Sequence, residues 1–159
     1  MRVRLPGGAV SADALHLFSE LAAGHGSGVI ELTARANLQL RAIAEAKLAT
    51  VGAALVATGL ALADAGRDAL RSVVASPLAG HDRFAAADGR DVLARLLARL
   101  QDVPVGGARR VPAKFSMVID ERGSWPLDGL DADARAVATA TGWSIRVRGD
   151  RPIGAATDP

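Results

Sequence analysis

The stretch GVIELTARANLQLRAI, residues 28–43, constrains the fold more than any other part of the chain. It holds two strand-like runs, Val29-Ile30-Glu31-Leu32-Thr33 and Leu38-Gln39-Leu40-Arg41-Ala42-Ile43. Each carries the apolar/polar alternation of a half-buried strand. Such pairs usually meet at glycine or proline, whereas these two meet around Arg35 and Asn37. Asn37 suits a turn because its side chain tolerates left-handed backbone geometry.

The flanks supply helices. Arg2–Leu5 reads as a first strand, ended by Pro6-Gly7-Gly8. Ser11 caps a helix over Ala12–Ala23, with Asp13 favourable in its first turn. Leu15, Phe18 and Ala22 share one face. Gly24-His25-Gly26-Ser27-Gly28 then breaks the helix. A phosphate-binding glycine loop follows a strand and opens a helix; this run does the reverse and reads as a turn. Glu45–Thr58 places Leu48, Val51, Leu55 and Val56 at helical spacing, with Gly59 fit to end the helix and Leu60 to cover it. Residues 1–62 therefore read strand, helix, strand, strand, helix, a small α+β sandwich.

Beyond the connector Ala61–Arg67, Leu70–Ser76 is strand-like and stops at Pro77. Pro77–Gly89 is a loop, Arg90–Leu100 a helix with a Leu93, Leu96, Leu97, Leu100 stripe, Val103–Pro112 a loop and Ala113–Asp120 a strand. Asp131–Ala140 is rich in alanine, which favours helix. Its alanines nevertheless alternate with Arg135, Val137 and Thr139, so we read a strand, with a hairpin turn at Thr141-Gly142 before Trp143–Arg148. The tail from Asp150 to Pro159 has little to bury and is expected to fray.

Composition removes several functions. The 159 residues contain no cysteine, which excludes disulfides, thiolate zinc and any iron–sulfur cluster ligated by this chain alone. The three histidines, His16, His25 and His81, form no metal-binding pair, and His81 reads as a solvated loop residue. Nineteen cations give a net charge of only +2, are nearly all arginine and are spread along the chain. With aromatics at 3 % and no tyrosine, nucleic-acid binding is not expected. No apolar run is long enough to span a membrane, and the first residues do not make a signal peptide, so a cytoplasmic location is expected.

Three cations stand at the ends of strand-like runs: Arg35 in LTARANLQLR, Arg71 in RSVVASP and Lys114 in VPAKFSMVID. Strand ends can line a shared cleft. There an arginine fork grips a carboxylate with paired hydrogen bonds and a lysine adds a point charge. Spacing alone favours ordinary surface cations.

These words resemble the T-x-R-x-N/T-x-Q-x-R/H, R-N-V-x-x-x-P and P-x-K-F segments of the sulfite and nitrite reductase family, in that family's order. RLPGG at residues 4–8 and SPLAG at residues 76–80 are more like its precorrin-3B synthase branch. The resemblance implies an α+β fold: a ferredoxin-like half-domain over residues 1–66, then the first part of a sulfite/nitrite reductase-type catalytic domain over residues 67–150, with 151–159 as tail. It implies that Arg35 and Arg71 face a sirohaem or tetrapyrrole and its anion, that Lys114 lies near the reacting anion, and that Gln39 and Arg41 contact a tetrapyrrole carboxylate or the neighbouring domain. For the complete enzyme it implies a [4Fe–4S] cluster held by four cysteines in a C-terminal half, and oxygen-dependent hydroxylation of precorrin-3A. Two departures stand out. Ser116 occupies the place of a second lysine found in sulfite reductases, and the cluster cysteines are missing.

Three readings follow: part of a precorrin-3B synthase-like oxidoreductase, part of a sirohaem-dependent nitrite or sulfite reductase, or a non-catalytic piece that binds a tetrapyrrole or a partner. In each, the isolated chain is expected to lack turnover and to self-associate through an apolar surface that a cysteine-bearing partner half would cover.

Overall fold

A computed structural model describes residues 1–103 and 115–148, together with the backbone of 151–157. Its first unit is a three-stranded antiparallel sheet in the order β1-β3-β2, built from β1 (Arg2–Val3), β2 (Ile30–Leu32) and β3 (Leu38–Leu40). Helix α1 (Ala12–His25) joins β1 to β2. A 3-10 turn over Glu45–Lys47 leads into α2 (Leu48–Ala57). Period-two alternation puts Leu38 and Leu40 on the inner face of β3. There they meet Phe18, Leu21 and Ala22 of α1, Val51 and Leu55 of α2, and Val3 and Leu5 from the start of the chain. This is the ferredoxin-like half-domain architecture expected from the sequence. Ser11 caps α1 as foreseen, accepting from the Ala14 N–H at 3.1 Å.

The hairpin is tighter than its sequence suggested. Thr33 N–H donates to the Asn37 carbonyl at 2.8 Å and Ala36 N–H donates to the Thr33 carbonyl at 3.0 Å. Arg35 therefore sits on the exposed apex of a β-turn. The left-handed residue is Ala36, at φ 51, not Asn37. Asn37 is buried instead, and its Oδ1 accepts the Leu5 N–H at 3.1 Å. That bond takes the place of a ladder bond and explains why β1 stops at Val3 rather than Leu5.

The second unit is a five-stranded mixed sheet in the order β4-β5-β6-β7-β8. Its strands are β4 (Val73–Ala75), β5 (Met117–Asp120), β6 (Ala134–Thr139), β7 (Gly142–Val147) and β8 (Arg151–Thr157). The first three run parallel and the last three antiparallel. Helix α4 (Gly89–Gln101) lies between β4 and β5 in the chain. It lays its leucine stripe on Val73, Ala75, Ile119, Ala138 and Trp143. The alternation over residues 134–139 is a strand as read, despite its alanines. The tail is not frayed: residues 151–157 pair with β7, because the edge of β7 offers unpaired backbone groups that a following segment can satisfy. A short helix α3 (Ala65–Ala69), capped by Asp64 through the Arg67 N–H, replaces the second half of the connector.

The two sheets are joined at one seam. Gly7 N–H donates to the Val73 carbonyl at 2.8 Å, and Gly7 bridges Val74 in parallel. Gly7 has φ +75, a left-handed backbone that strains other residues, and a Cβ there would lie 2.6 Å from Leu93 Cδ2, which would have to shift. Beside it, Asp68 accepts from Arg4 Nη1 at 3.1 Å, from Arg71 Nη1 at 3.0 Å and from the Leu62 N–H at 3.1 Å. The three charged side chains are 12–21 % exposed. Removing one member of a largely buried charge group leaves the others uncompensated. Asp68→Asn is therefore expected to cost about 3 kcal/mol in urea denaturation. Glu31→Gln, which breaks an exposed pair with Arg41, is expected to cost no more than about 1 kcal/mol. Equal costs would contradict the role given to Asp68.

Candidate functional site

The outer face of the first sheet carries the polar residues that alternate with the core. Gln39, in the central strand, lies opposite Arg2 on one side and Glu31 on the other. Arg41, just past β3, pairs with Glu31 at 2.6 Å. Hydrogen bonding between the two holds Glu31 below, and Arg41 above, its ordinary pKa. Both are well exposed, so this pair aims Arg41 more than it stabilises the fold. At the turn end, Arg35 lines a hollow of about 370 Å³ with Arg2, Thr33 and Ala34. Two guanidiniums in one hollow offer forked donors suited to a carboxylate.

Arg71 is placed differently. Besides Asp68, its Nη1 reaches the Leu60 carbonyl at 3.5 Å. It lines a hollow of about 220 Å³ with Gly59, Leu62, Arg67, Leu97, Leu100 and Gln101. Arg35 and Arg71 thus line separate hollows, and Lys114 lies outside the described residues. Arg2 and Asp68 were not singled out by sequence reasoning. Asp68 lies at the end of the short helix α3, three residues before Arg71 in the turn that follows, and no local pattern marked that helix in the sequence. Arg2 had only its alternation with Val3.

Further polar groups gather at the carboxyl end of β5. Asp120 is fully buried, and its Oδ1 accepts the Arg122 N–H at 2.9 Å. Glu121 is 1 % exposed, and its Oε1 accepts the Gly89 N–H at 2.6 Å, at the start of α4. The second oxygen of each carboxyl has no partner among the described residues. Ser116, in the place of the second lysine, is buried; its N–H donates to Asp133 Oδ2 at 2.9 Å. Among the described residues no three His, Cys, Asp or Glu side chains are grouped to hold a metal ion, and no helix is long and apolar enough to cross a membrane.

Burial pushes the Glu121 pKa up; Asp88 and Asp82 add to this, while the Gly89 N–H and Arg90 oppose it. A raised folded-state pKa means that the fold binds this proton more tightly than the unfolded chain does. The resulting stabilisation is complete below the ordinary carboxylate range and is lost as pH rises through the raised value. Glutamine keeps the acceptor for Gly89 and cannot ionise. Urea denaturation at about pH 4 and about pH 8 should show Glu121→Gln gaining stability relative to wild type as pH rises. A gap independent of pH would contradict this.

Comparison with known proteins bears on these observations. The family model "Nitrite/Sulfite reductase ferredoxin-like half domain" matches residues 1–58. A precorrin-3B synthase from Sinorhizobium sp is 34% identical over 130 residues, covering 78% of this chain and 26% of that protein. Ferredoxin–nitrite reductases from Leptolyngbya laminosa and Synechococcus elongatus are 26% and 29% identical over 122 residues, covering 75% of this chain and 24% of each relative. The chain thus spans about a quarter of the length of these curated relatives. The matched segment contains β1, α1, β2, β3 and α2, the same elements that close the first core. Residues 1–58 therefore match the nitrite/sulfite reductase ferredoxin-like half-domain family.

Proposed function

We propose that this chain is the N-terminal portion of a precorrin-3B synthase-like oxidoreductase of cobalamin biosynthesis, and that it holds the carboxylates of a tetrapyrrole. The observation that carries this reading is Arg35. It stands on the apex of the β2–β3 turn, beside Arg2, in a hollow open to a ligand. It also lies within the segment matched to the half-domain family. The 34% identity to a precorrin-3B synthase favours that branch. Guanidinium forks suit the rim of a tetrapyrrole, whose carboxylates they hold by charge-assisted bonds. A bound iron tetrapyrrole, or the iron–sulfur cluster of the partner half, would supply the redox chemistry. This chain's residues bind and orient it: Arg35 and Arg2 hold a carboxylate, Gln39 and Arg41 extend the polar face beside them, and Asp68 fixes Arg71 at the seam. With no cysteine, the chain offers no ligand to a [4Fe–4S] cluster, which in this reading belongs to a cysteine-bearing partner half.

That partner half would pack where the first sheet is least covered. Leu32, on the core side of edge strand β2, is 76% exposed. Self-association of the isolated chain would use the same surface. The nitrite reductase matches support a second reading, in which the tetrapyrrole is a resident sirohaem rather than a substrate.

Uroporphyrin, a carboxylate-rimmed tetrapyrrole, provides a test. Arg35→Ala is expected to weaken its binding about tenfold, the loss of roughly 1.4 kcal/mol, in an absorbance titration. Arg95→Ala, on the exposed side of α4, should leave binding unchanged. If the two substitutions behave alike, the turn arginine has no binding role.

A further inference from the structure

A second hollow, of about 550 Å³, opens at the amino end of β6 and the carboxyl end of β7, on the unit that the half-domain match does not cover. Arg135, Arg146 and Arg148 line it, with Asp128 and Asp131. Arg135 on β6 and Arg146 on β7 are direct register partners. Like charges placed directly opposite on paired strands destabilise a sheet, so folding alone does not favour this arrangement.

The geometry also prepares the arginines for a ligand. Arg135 donates to the Leu127 carbonyl at 2.9 Å and the Leu130 carbonyl at 2.5 Å. These two bonds fix its plane without neutralising its charge. Arg148 is held loosely, with Asp131 at 3.4 Å and Asp133 at 3.7 Å, and its side chain is 71% exposed. Such pairs contribute little and exchange easily for a better acceptor. Of the nearby acids, Asp128 pairs with Arg122 at 3.5 Å, Asp133 also anchors Ser116 before β5, and Asp131 has, among the described residues, only its long contact with Arg148. The hollow falls within the size range of small-molecule sites and is too roomy for a single oxyanion.

We propose that this hollow is a binding subsite for neighbouring carboxylates of a small molecule. Resting on the tetrapyrrole reading, these are side-chain carboxylates of the same tetrapyrrole that Arg35 engages. The site has three cationic donors: Arg135 is the fixed anchor, and Arg146 and Arg148 are the specificity-setting arms.

The test uses the full chain, with uroporphyrin and the smaller 1,2,3,4-butanetetracarboxylate as probes, titrated calorimetrically. The variant Arg146→Gln/Arg148→Gln keeps the Arg135 bonds to the loop, and circular dichroism checks that it folds. The proposal expects the variant to bind uroporphyrin about tenfold more weakly than wild type, with a shallower dependence on salt. Equal affinity of folded variant and wild type for both probes would overturn it. If wild type binds the tetracarboxylate but not uroporphyrin, and the variant loses that binding, the subsite stands and the tetrapyrrole reading falls. If uroporphyrin binds wild type and variant equally while Arg35→Ala weakens it, the tetrapyrrole reading stands and the subsite falls.

Discussion

Asp68 is the interaction on which the arrangement of the rest depends. One carboxylate holds Arg4 from the start of the chain, Arg71 at the entry to β4, and the backbone of the connector at Leu62. The neighbouring Gly7–Val73 bond is a backbone contact made by a glycine in left-handed geometry. Together they set the three-stranded sheet against the five-stranded one. Two arginines this close would repel one another; the acid between them converts that repulsion into a joint. The cost of desolvating three charges is offset by their mutual attraction only while all three remain. Arg71 is therefore a structural residue first, and its contribution to any ligand is made from a fixed position.

The first unit was legible because local signals agreed. Ser11 capping α1, the leucines of β3 alternating with Gln39, and the spacing of Val51 and Leu55 on α2 all pointed to one sandwich. What could not be read were contacts between residues far apart in sequence. Asn37 was legible as a turn residue, but its bond to Leu5 joins the segment before β3 to the segment after β1 and leaves no local trace. The same holds for Asp68 reaching Arg4, and for Asp133 reaching Ser116. The tail was misjudged because its value lies in pairing with β7, which composition does not reveal. The alanine-rich β6 was read correctly because alternation reports burial, whereas alanine's helix preference is a weak local bias.

The candidate site was legible in residue type and less so in geometry. Arg35 is at a turn apex as its place between two strands implied, but its partner in the hollow is Arg2, not Arg71. The arginines therefore form more than one station. One lies at the β2–β3 turn, one at the seam, and one on β6 and β7 around Arg135 and Arg146. A ligand with carboxylates spread around a wide rim can use separated stations, whereas a small anion can use only one. Dispersed arginine with a low net charge fits this pattern: Arg41, Arg71 and Arg148 each face an aspartate or glutamate that also sets their direction.

A crystal structure of the chain with uroporphyrin would examine this most directly. The account predicts the tetrapyrrole bound with one rim carboxylate between Arg35 and Arg2 at the β2–β3 turn. A bound tetrapyrrole that leaves Arg35 in solvent and makes its carboxylate contacts elsewhere on the surface would contradict it.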